Sequence, residues 1–424
     1  MNSKRSEILI VVIFLLLCVT PGQAQVKQLS IEECYTMATQ HYPLAKQRDL
    51  IGQSKMYNLD NASKGYLPQV SINGQATYQS DVVTIPIKVP GIESPYIPKD
   101  QYKLYGEVTQ TIFDGGIIKQ QKKAEEAEAV VEEQKLDVEL YQLKDRINQL
   151  FFGALLVGEQ IQQTQLLKKD IQSGITTIEA TMTNGAALKS SADILRVEGI
   201  KADQRTTELT ATRKAYLDML GLFINQPLDE NTVLVPPSLL LPAEEIARPE
   251  LKLYDYQLKS LDIQKNMLKA RNTPRFNFFV QGGLGRPALD IFETKFKGYY
   301  IGGIRLNWTL SGFYDLKNNN ALIESNQRMV ELKRETFLFN TQLALTQQNA
   351  EIAKFRELLE SDEAILGLRK NIKNTASAQL EFGTITTNDY LKEVNAEDQA
   401  RLTQITHKIQ MLLAIYNQKT TSGH

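Results

Sequence analysis

Cysteine is almost missing from this chain. Among 424 residues only Cys18 and Cys34 occur, and Cys18 falls in an N-terminal stretch expected to be removed, so no intrachain disulfide is available to the remainder. Histidine is nearly as scarce: His41, His407 and His424 lie in unrelated segments. No Cys/His spacing suggests a metal site and no nucleophile has an evident base, so we expect no metal, no cofactor and no enzymatic activity. Basic blocks are absent and the formal net charge is −1, which argues against nucleic acid as a partner. After the first 24 residues there is no apolar run of the roughly 18 residues that a spanning helix needs. If such a chain meets a membrane, it does so with strands. Gly282-Gly283-Leu284-Gly285 leads to a proline and not into a helix, so a kinked strand is expected there, not a phosphate loop.

The first residues carry Lys4 and Arg5, then an apolar run over 8–19, then Pro21-Gly22-Gln23-Ala24. This pattern predicts a secretory signal over 1–24, cleaved after Ala24. The alternative is an uncleaved anchor, for which the run is short. Leu15-Leu16-Leu17 before Cys18 lacks the small residue expected ahead of a lipidated cysteine.

Proline is also absent from two long stretches, 117–183 and 318–380. The first carries Leu140, Leu143, Ile147, Leu150, Ala154, Val157 and Ile161 on a heptad, continued by Ile171, Ile175, Ile178 and Met182. At 1.5 Å per residue it predicts a rod of roughly 100 Å. The second has two apolar stripes, one of Met329, Leu332, Phe339, Leu343, Ala350 and Ala353, the other of Leu338, Leu345, Ile352, Leu359 and Leu366. Two stripes imply neighbours on two sides; the alternative is an ordinary coiled coil with one seam. Gly185 and Gly383 mark the end of each rod. Ser191 or Asp193, and Thr387 or Asn388, are candidate caps for return helices over 192–223 and 389–417. Helices over 44–64 and 249–271 precede the strands and would cover the rest of each rod.

What is present is present twice. A helix runs into Pro68, then an alternating strand, a loop, a second strand and the corner Asp114-Gly115-Gly116 before the first rod. The same order leads through Pro274 to Ser311-Gly312 before the second. We therefore expect two internal repeats, 25–225 and 249–424, joined by a Pro-rich linker over 226–248. The four strands set Val70, Ile72, Ala76 and Tyr78, then Tyr102, Leu104, Val108 and Ile112, then Phe276, Phe278, Val280 and Leu284, then Tyr300, Ile304, Leu306, Trp308 and Leu310, against polar neighbours. Each has about the ten residues of a strand crossing a bilayer. The alternative is a half-buried sheet in a soluble domain. Four strands cannot close a barrel, whereas three chains would supply 4 × 3 = 12. Tyr78, Tyr102, Tyr105, Tyr299 and Tyr300 are expected to form an interfacial belt.

The duplicated hairpins, the run Gln110-Thr111-Ile112-Phe113-Asp114-Gly115-Gly116 and the turn Gly383-Thr384-Ile385-Thr386-Thr387-Asn388-Asp389 resemble the TolC-type outer-membrane efflux proteins. The likeness covers nearly all of the chain after the leader. It implies a mainly α fold with β: a long antiparallel coiled-coil helical barrel continuous with a trimeric 12-stranded transmembrane β-barrel. It implies a passive conduit in a homotrimer, docked through a periplasmic adaptor to an inner-membrane pump, in the outer membrane with a large periplasmic portion. A mixed belt would be formed by 25–43 and 226–249. By position in the family, Asp389 would line a periplasmic constriction, with Asp193 its counterpart in the first repeat. Lys392 stands where a second acidic residue is expected, and Leu380 where an aromatic one is. Asp389 either caps its helix or faces a pore. A periplasmic coiled-coil adaptor or a structural scaffold is the alternative from another class.

Overall fold

The computed structural model describes residues 28–83, 97–183, 187–238 and 245–424. The expected leader at 1–24 and the turn glycine Gly185 lie outside the described residues. In chain order the elements are β1 (Gln28–Leu29), α1 (Ile31–His41), α2 (Gln47–Ser63), β2 (Gln69–Tyr78), β3 (Asp100–Phe113), α3 (Ile117–Tyr141), α4 (Leu143–Thr183), α5 (Lys189–Ile224), β4 (Val233–Leu234), α6 (Pro249–Arg271), β5 (Arg275–Arg286), β6 (Lys297–Asn307), α7 (Gly312–Glu381) and α8 (Thr387–Ser422). The chain is thus mostly helical, with some sheet. Among the described residues no helix is long and apolar enough to cross a membrane. Two compact units emerge, each drawn from both halves of the sequence.

The first unit comprises Met1–Pro43, Leu140–Ile246 and Leu343–His424. Its entry helix α1 starts on a capping box, in which Ser30 Oγ accepts from the Glu33 amide and the Glu33 carboxylate accepts from the Ser30 amide. The heptad positions Leu140, Leu143, Ile147, Ala154, Val157, Ile171, Ile175 and Ile178 are buried. The largest buried side chains were not on that heptad: Phe151 and Phe152 meet edge to face at 5.6 Å, and Phe152 lies 5.4 Å from the Tyr416 ring of α8. The rod expected over 117–183 is interrupted at Gln142, between α3 and α4. No proline or glycine marks the interruption; it lies beside Tyr141, whose hydroxyl donates to Thr420 O at 2.9 Å. The two segments expected to form a belt meet, because β1 pairs in parallel with β4 through Gln28↔Val233 and Leu29↔Leu234.

Among the described residues, only one stripe of α7 is covered. Leu345 and Ile352 are buried, and α8 is held there by hydrogen bonds from Gln348 to Thr421 and from Gln418 to Asn349. Met329, Leu332, Phe339 and Leu343 are exposed, Phe339 to 70 %. The expectation of neighbours on two sides is met on one side by this chain.

The second unit, Leu44–Glu139 and Ala247–Gln342, holds a four-stranded sheet in the order β2-β3-β5-β6, each neighbour antiparallel. Strand four was expected to run on to Leu310. It stops at Asn307, leaving Trp308 and Leu310 outside it, because β6 is an edge with no partner beyond β5 among the described residues. Pro68 follows a short 3-10 turn, Lys64–Tyr66, with Leu67 already extended, as the residue before proline prefers.

Both strand-to-helix corners press on one turn, Asn272-Thr273-Pro274. Asp114 caps α3, its carboxylate accepting from the Gly116 and Ile118 amides at 2.8 and 2.7 Å. Gly115 and Gly116 both have left-handed φ, +72° and +82°, but a Cβ on Gly115 would lie 1.7 Å from Thr273 Oγ1 whereas one on Gly116 would meet nothing. A Cβ on Gly312 would lie 2.1 Å from Asn272 Oδ1. We therefore predict that Gly115→Ala destabilises the protein more than Gly116→Ala, which bears only the left-handed strain of about 1–2 kcal/mol. Thr273→Ala should narrow the gap. Thermal melts of the two variants that coincide would show that the corner is not tight.

Candidate functional site

Two places carry the residues expected to matter, one in each unit. In the second unit, the strand register lines up side chains on the two faces of the sheet. One face carries the rows Val70↔Val108↔Val280↔Gly302 and Gly74↔Leu104↔Leu284↔Gly298, with Ile72 and Tyr300 flanking Gly106 and Gly282. This apolar face is bare: Ile72 and Tyr300 are each 81 % exposed, and Leu104, Leu284, Ile304 and Leu306 are all exposed. The other face carries Gln69, Ser71, Asn73, Lys103, Glu107, Thr109, Asn277, Gln281 and Arg305. There the side chains shelter one another: Glu107 accepts from Arg305 at 2.8 Å and from Thr109 at 3.1 Å, and the Arg305 guanidinium stacks 4.3 Å from the Phe279 centroid. A sheet of a soluble domain would be covered on its apolar side. This one is the reverse.

The expected tyrosine belt is corrected by the same register. Tyr78, Tyr102 and Tyr300 stand on the apolar face, but Tyr105 and Tyr299 oppose Gly283 on the polar one. They were assigned to the belt for lying near strand ends, and the pleat sends them the other way. A Cβ on Gly283 would lie 2.2 Å from Leu104 O, so β5 and β3 approach there too closely for any side chain. The glycine-rich run is part of β5.

In the first unit, α7 ends in a Schellman motif: the Gly383 amide donates to Leu380 O and the Thr384 amide to Gln379 O, at 3.0 and 2.9 Å, with Gly383 at φ +68°. The cap of α8 is Thr386, one residue before Thr387 and two before Asn388, the expected candidates; its hydroxyl accepts from the Asp389 amide. The Asp389 carboxylate accepts in return from the Thr386 amide at 3.2 Å and hydroxyl at 2.7 Å. Those two donors, with the nearby Lys392 ammonium, hold its carboxyl below the usual range. Asp389 and Lys392 are both exposed and line a cleft of about 420 Å³ together with Ile372, Thr375, Gln379 and Ile385. Leu380 is buried in the hydrophobic cluster beneath, with Ile175, Leu195 and Val394, so it takes no part in the cleft.

The first break differs. Helix α5 begins at Lys189 after Leu188, with no side-chain cap, so neither Ser191 nor Asp193 caps it; both lie inside its first turns. The helices α5 and α8 start at 189 and 387, a separation of 387 − 189 = 198. Asp389 therefore corresponds to Ser191, and Asp193 to Leu391, which is buried; the expected equivalence of Asp193 and Asp389 is off by two residues. Asp193 is exposed and bound to Arg196 at 2.9 Å, which also reaches Glu179 on α4 at 2.7 Å.

Sequence reasoning missed a partly buried ionic cluster close to Asp389 along the chain. Lys373 Nζ lies 2.7 Å from Asp170 and 3.7 Å from Glu397, and Arg401 lies 2.8 Å from Glu397. The Tyr390 hydroxyl donates to Asp170 O at 3.0 Å. Burial, then the Asp170 carboxylate, pushes that phenol up to about 12. Asp398 accepts from Gln163 at 2.9 Å and Arg205 at 3.1 Å. The Glu397/Arg401 spacing of four was the one local sign of it.

No family model and no curated protein sequence matches this chain. Solved structures do. The outer membrane protein VceC of Vibrio cholerae superposes with a TM-score of 0.63 at 11 % identity, over 93 % of this chain and 96 % of that one. The Neisseria gonorrhoeae MtrE outer membrane channel in its open state gives 0.62 at 13 %, over 93 % and 89 %. The Campylobacter jejuni CmeC outer membrane channel gives 0.61 at 12 %, over 93 % and 86 %. The fold of the chain is that of TolC-type outer-membrane channels, as the sequence resemblance implied.

Proposed function

We propose that three copies of this chain form a channel in the outer membrane. The observation that carries this is the reversed sheet: an exposed apolar face, a polar face whose side chains pair among themselves, and two open edges. Water does not tolerate that face and lipid does not tolerate those edges. Three copies supply twelve strands, closing the edges, turning the apolar face to lipid and the polar face to a lumen. The uncovered stripe of α7 is then a seam against a neighbouring copy, and the helices of the first unit form a periplasmic helical barrel. The likeness to outer-membrane channels supports the placement. The protein is a passive conduit that receives solutes from an inner-membrane pump through a periplasmic adaptor; it acts on neither them nor nucleic acid.

The chain is built of two repeats, 25–225 and 249–424. Pro43 and Pro249, and Pro68 and Pro274, stand 249 − 43 = 206 and 274 − 68 = 206 apart. Beyond the hairpins the separation is 198: α4 and α7 end at 183 and 381, and α5 and α8 end at 224 and 422. Fractionation tests the reading. Heat-sensitive oligomers in the outer membrane support it; release of the protein by osmotic shock would favour a periplasmic adaptor or scaffold and overturn it.

Asp389 and Lys392 are assigned to the constriction at the periplasmic entrance, three copies of each facing the pore, with Asp193 further from it. A ring of carboxylates attracts cations, the more so at low salt. Asp389→Asn keeps an acceptor for Thr386 and removes the charge, whereas Asp389→Ala removes both. Both variants should lower cation preference in planar bilayers, Lys392→Ala should raise it, and Asp389→Ala should lower the melting temperature more than Asp389→Asn. The lowered folded pKa means that the cap is fully formed above the ordinary aspartate range and is lost as pH falls through the folded value. Unchanged ion preference in Asp389→Asn would place the gate elsewhere.

A further inference from the structure

The two open edges of the sheet, β2 and β6, have no partner among the described residues. We infer that they pair with each other between copies in one register, in which Leu306 stands opposite Gly74 of the neighbouring copy. This rests on the channel reading above and goes beyond it by naming the contacting residues.

The register follows from pairings inside the chain. In the first hairpin Val70 faces Val108, and in the second Phe276 faces Leu306. The leading strands are thus related by 276 − 70 = 206 and the returning strands by 306 − 108 = 198. Two hydrogen bonds at the foot of the sheet check both separations independently. Gln110 Nε2 donates to Tyr66 O at 2.9 Å, and Trp308 Nε1 donates to Asn272 O at 3.0 Å; here 308 − 110 = 198 and 272 − 66 = 206.

The junction between the hairpins is the pairing of β3 with β5, the returning strand of one with the leading strand of the next. It runs from Tyr102↔Arg286 through Val108↔Val280 to Thr111↔Asn277. Carrying it forward by one hairpin moves the returning strand by 198 and takes the leading strand back by 206, onto the next copy. Val108↔Val280 becomes 306 opposite 74, and Thr109↔Phe279 becomes 307 opposite 73. The seam runs from Tyr300 opposite Ser80 to Thr309 opposite Ser71 of the neighbour.

One consequence of the register and one further observation agree with it. Its parity is right: Leu306 and Gly74 both lie on the apolar face, and Asn307 and Asn73 on the polar one, whereas a one-residue slip would turn every apolar side chain of one strand into the lumen. It also accounts for the short fourth strand. β3 extends to Phe113 against β5, while its counterpart β6 ends at Asn307. Trp308 and Thr309 are strand waiting for its neighbour, and Leu310 already turns toward α7, its carbonyl accepting from the Phe313 amide at 3.1 Å.

The test is disulfide cross-linking of the full-length protein in outer membranes, with Asn307→Cys combined in turn with Asn73→Cys, Ser71→Cys and Gln75→Cys. Directly opposed residues place their Cβ atoms about 4.5–5.5 Å apart, within reach of a disulfide, and diagonal ones about 7–8 Å apart, mostly beyond it. Cys34 is buried and gives little background. We expect a covalent trimer from the Asn73 pair and at least tenfold less from the other two. Stronger linking through Ser71 or Gln75 overturns the register and leaves the ring standing, as does a trimer by light scattering in which no pair links. Protein that is monomeric by light scattering and unlinked in all three overturns the channel reading itself.

Discussion

Leu306→Arg should remove the protein from the assembled outer-membrane fraction, while its chain neighbour Asn307→Arg assembles as the unsubstituted protein does. Leu306 is 55 % exposed on the apolar face, and an arginine facing lipid near mid-bilayer costs about 2–4 kcal/mol. In the proposed trimer three copies bear that cost. Asn307 stands one residue on, across the pleat, where in the proposed channel the added charge faces the lumen and should alter only its ion preference. The readout is the heat-sensitive oligomer band in isolated outer membranes. Equal bands from the two variants would mean that the apolar face is not turned to lipid.

Phe152→Ala should give the largest loss of stability of any single truncation proposed, about 3–5 kcal/mol. The ring is 1 % exposed, wedged between Phe151 and Tyr416, and the hole it leaves is walled by two long helices that cannot close on it independently. Phe339→Ala is the informative control. That ring lies on the uncovered stripe of α7, so its loss should leave the melting of dispersed protomers nearly unchanged and weaken the oligomer. If the two truncations lower the melting of dispersed protomers equally, the stripe is packed within the chain and is no seam.

Much of this was legible in the sequence because it is periodic. Alternation over Val70, Ile72, Tyr102 and Leu104 states a face, and the pleat enforces it whatever lies nearby. The heptad from Leu140 to Ile178 does the same for a helix. What escaped depends on a partner far away in sequence. The end of β6 at Asn307 reflects a missing neighbour, and nothing in Trp308-Thr309-Leu310 announces it. Phe151 and Phe152 are adjacent in sequence, and a helix in one seam would bury only one of them; both are buried because α4 has neighbours on more than one side. The cap fell to Thr386 because a capping box needs an acceptor at the third helical position, and Asp389 supplies it. The clustering of Asp170, Lys373 and Glu397 is a product of three helices meeting, and no spacing in the chain reports it.

The bare stripe of α7 and the open edges of the sheet make folding inseparable from abundance. A lone protomer exposes apolar surface and two unpaired strand edges, which are templates for pairing with the wrong chain. In the proposed trimer each is satisfied only by mass action, so the apparent stability of the native state should rise with protomer concentration. Dilution should therefore lower the midpoint of unfolding, and protomers made faster than they meet their own kind should be cleared by proteases before they become channels.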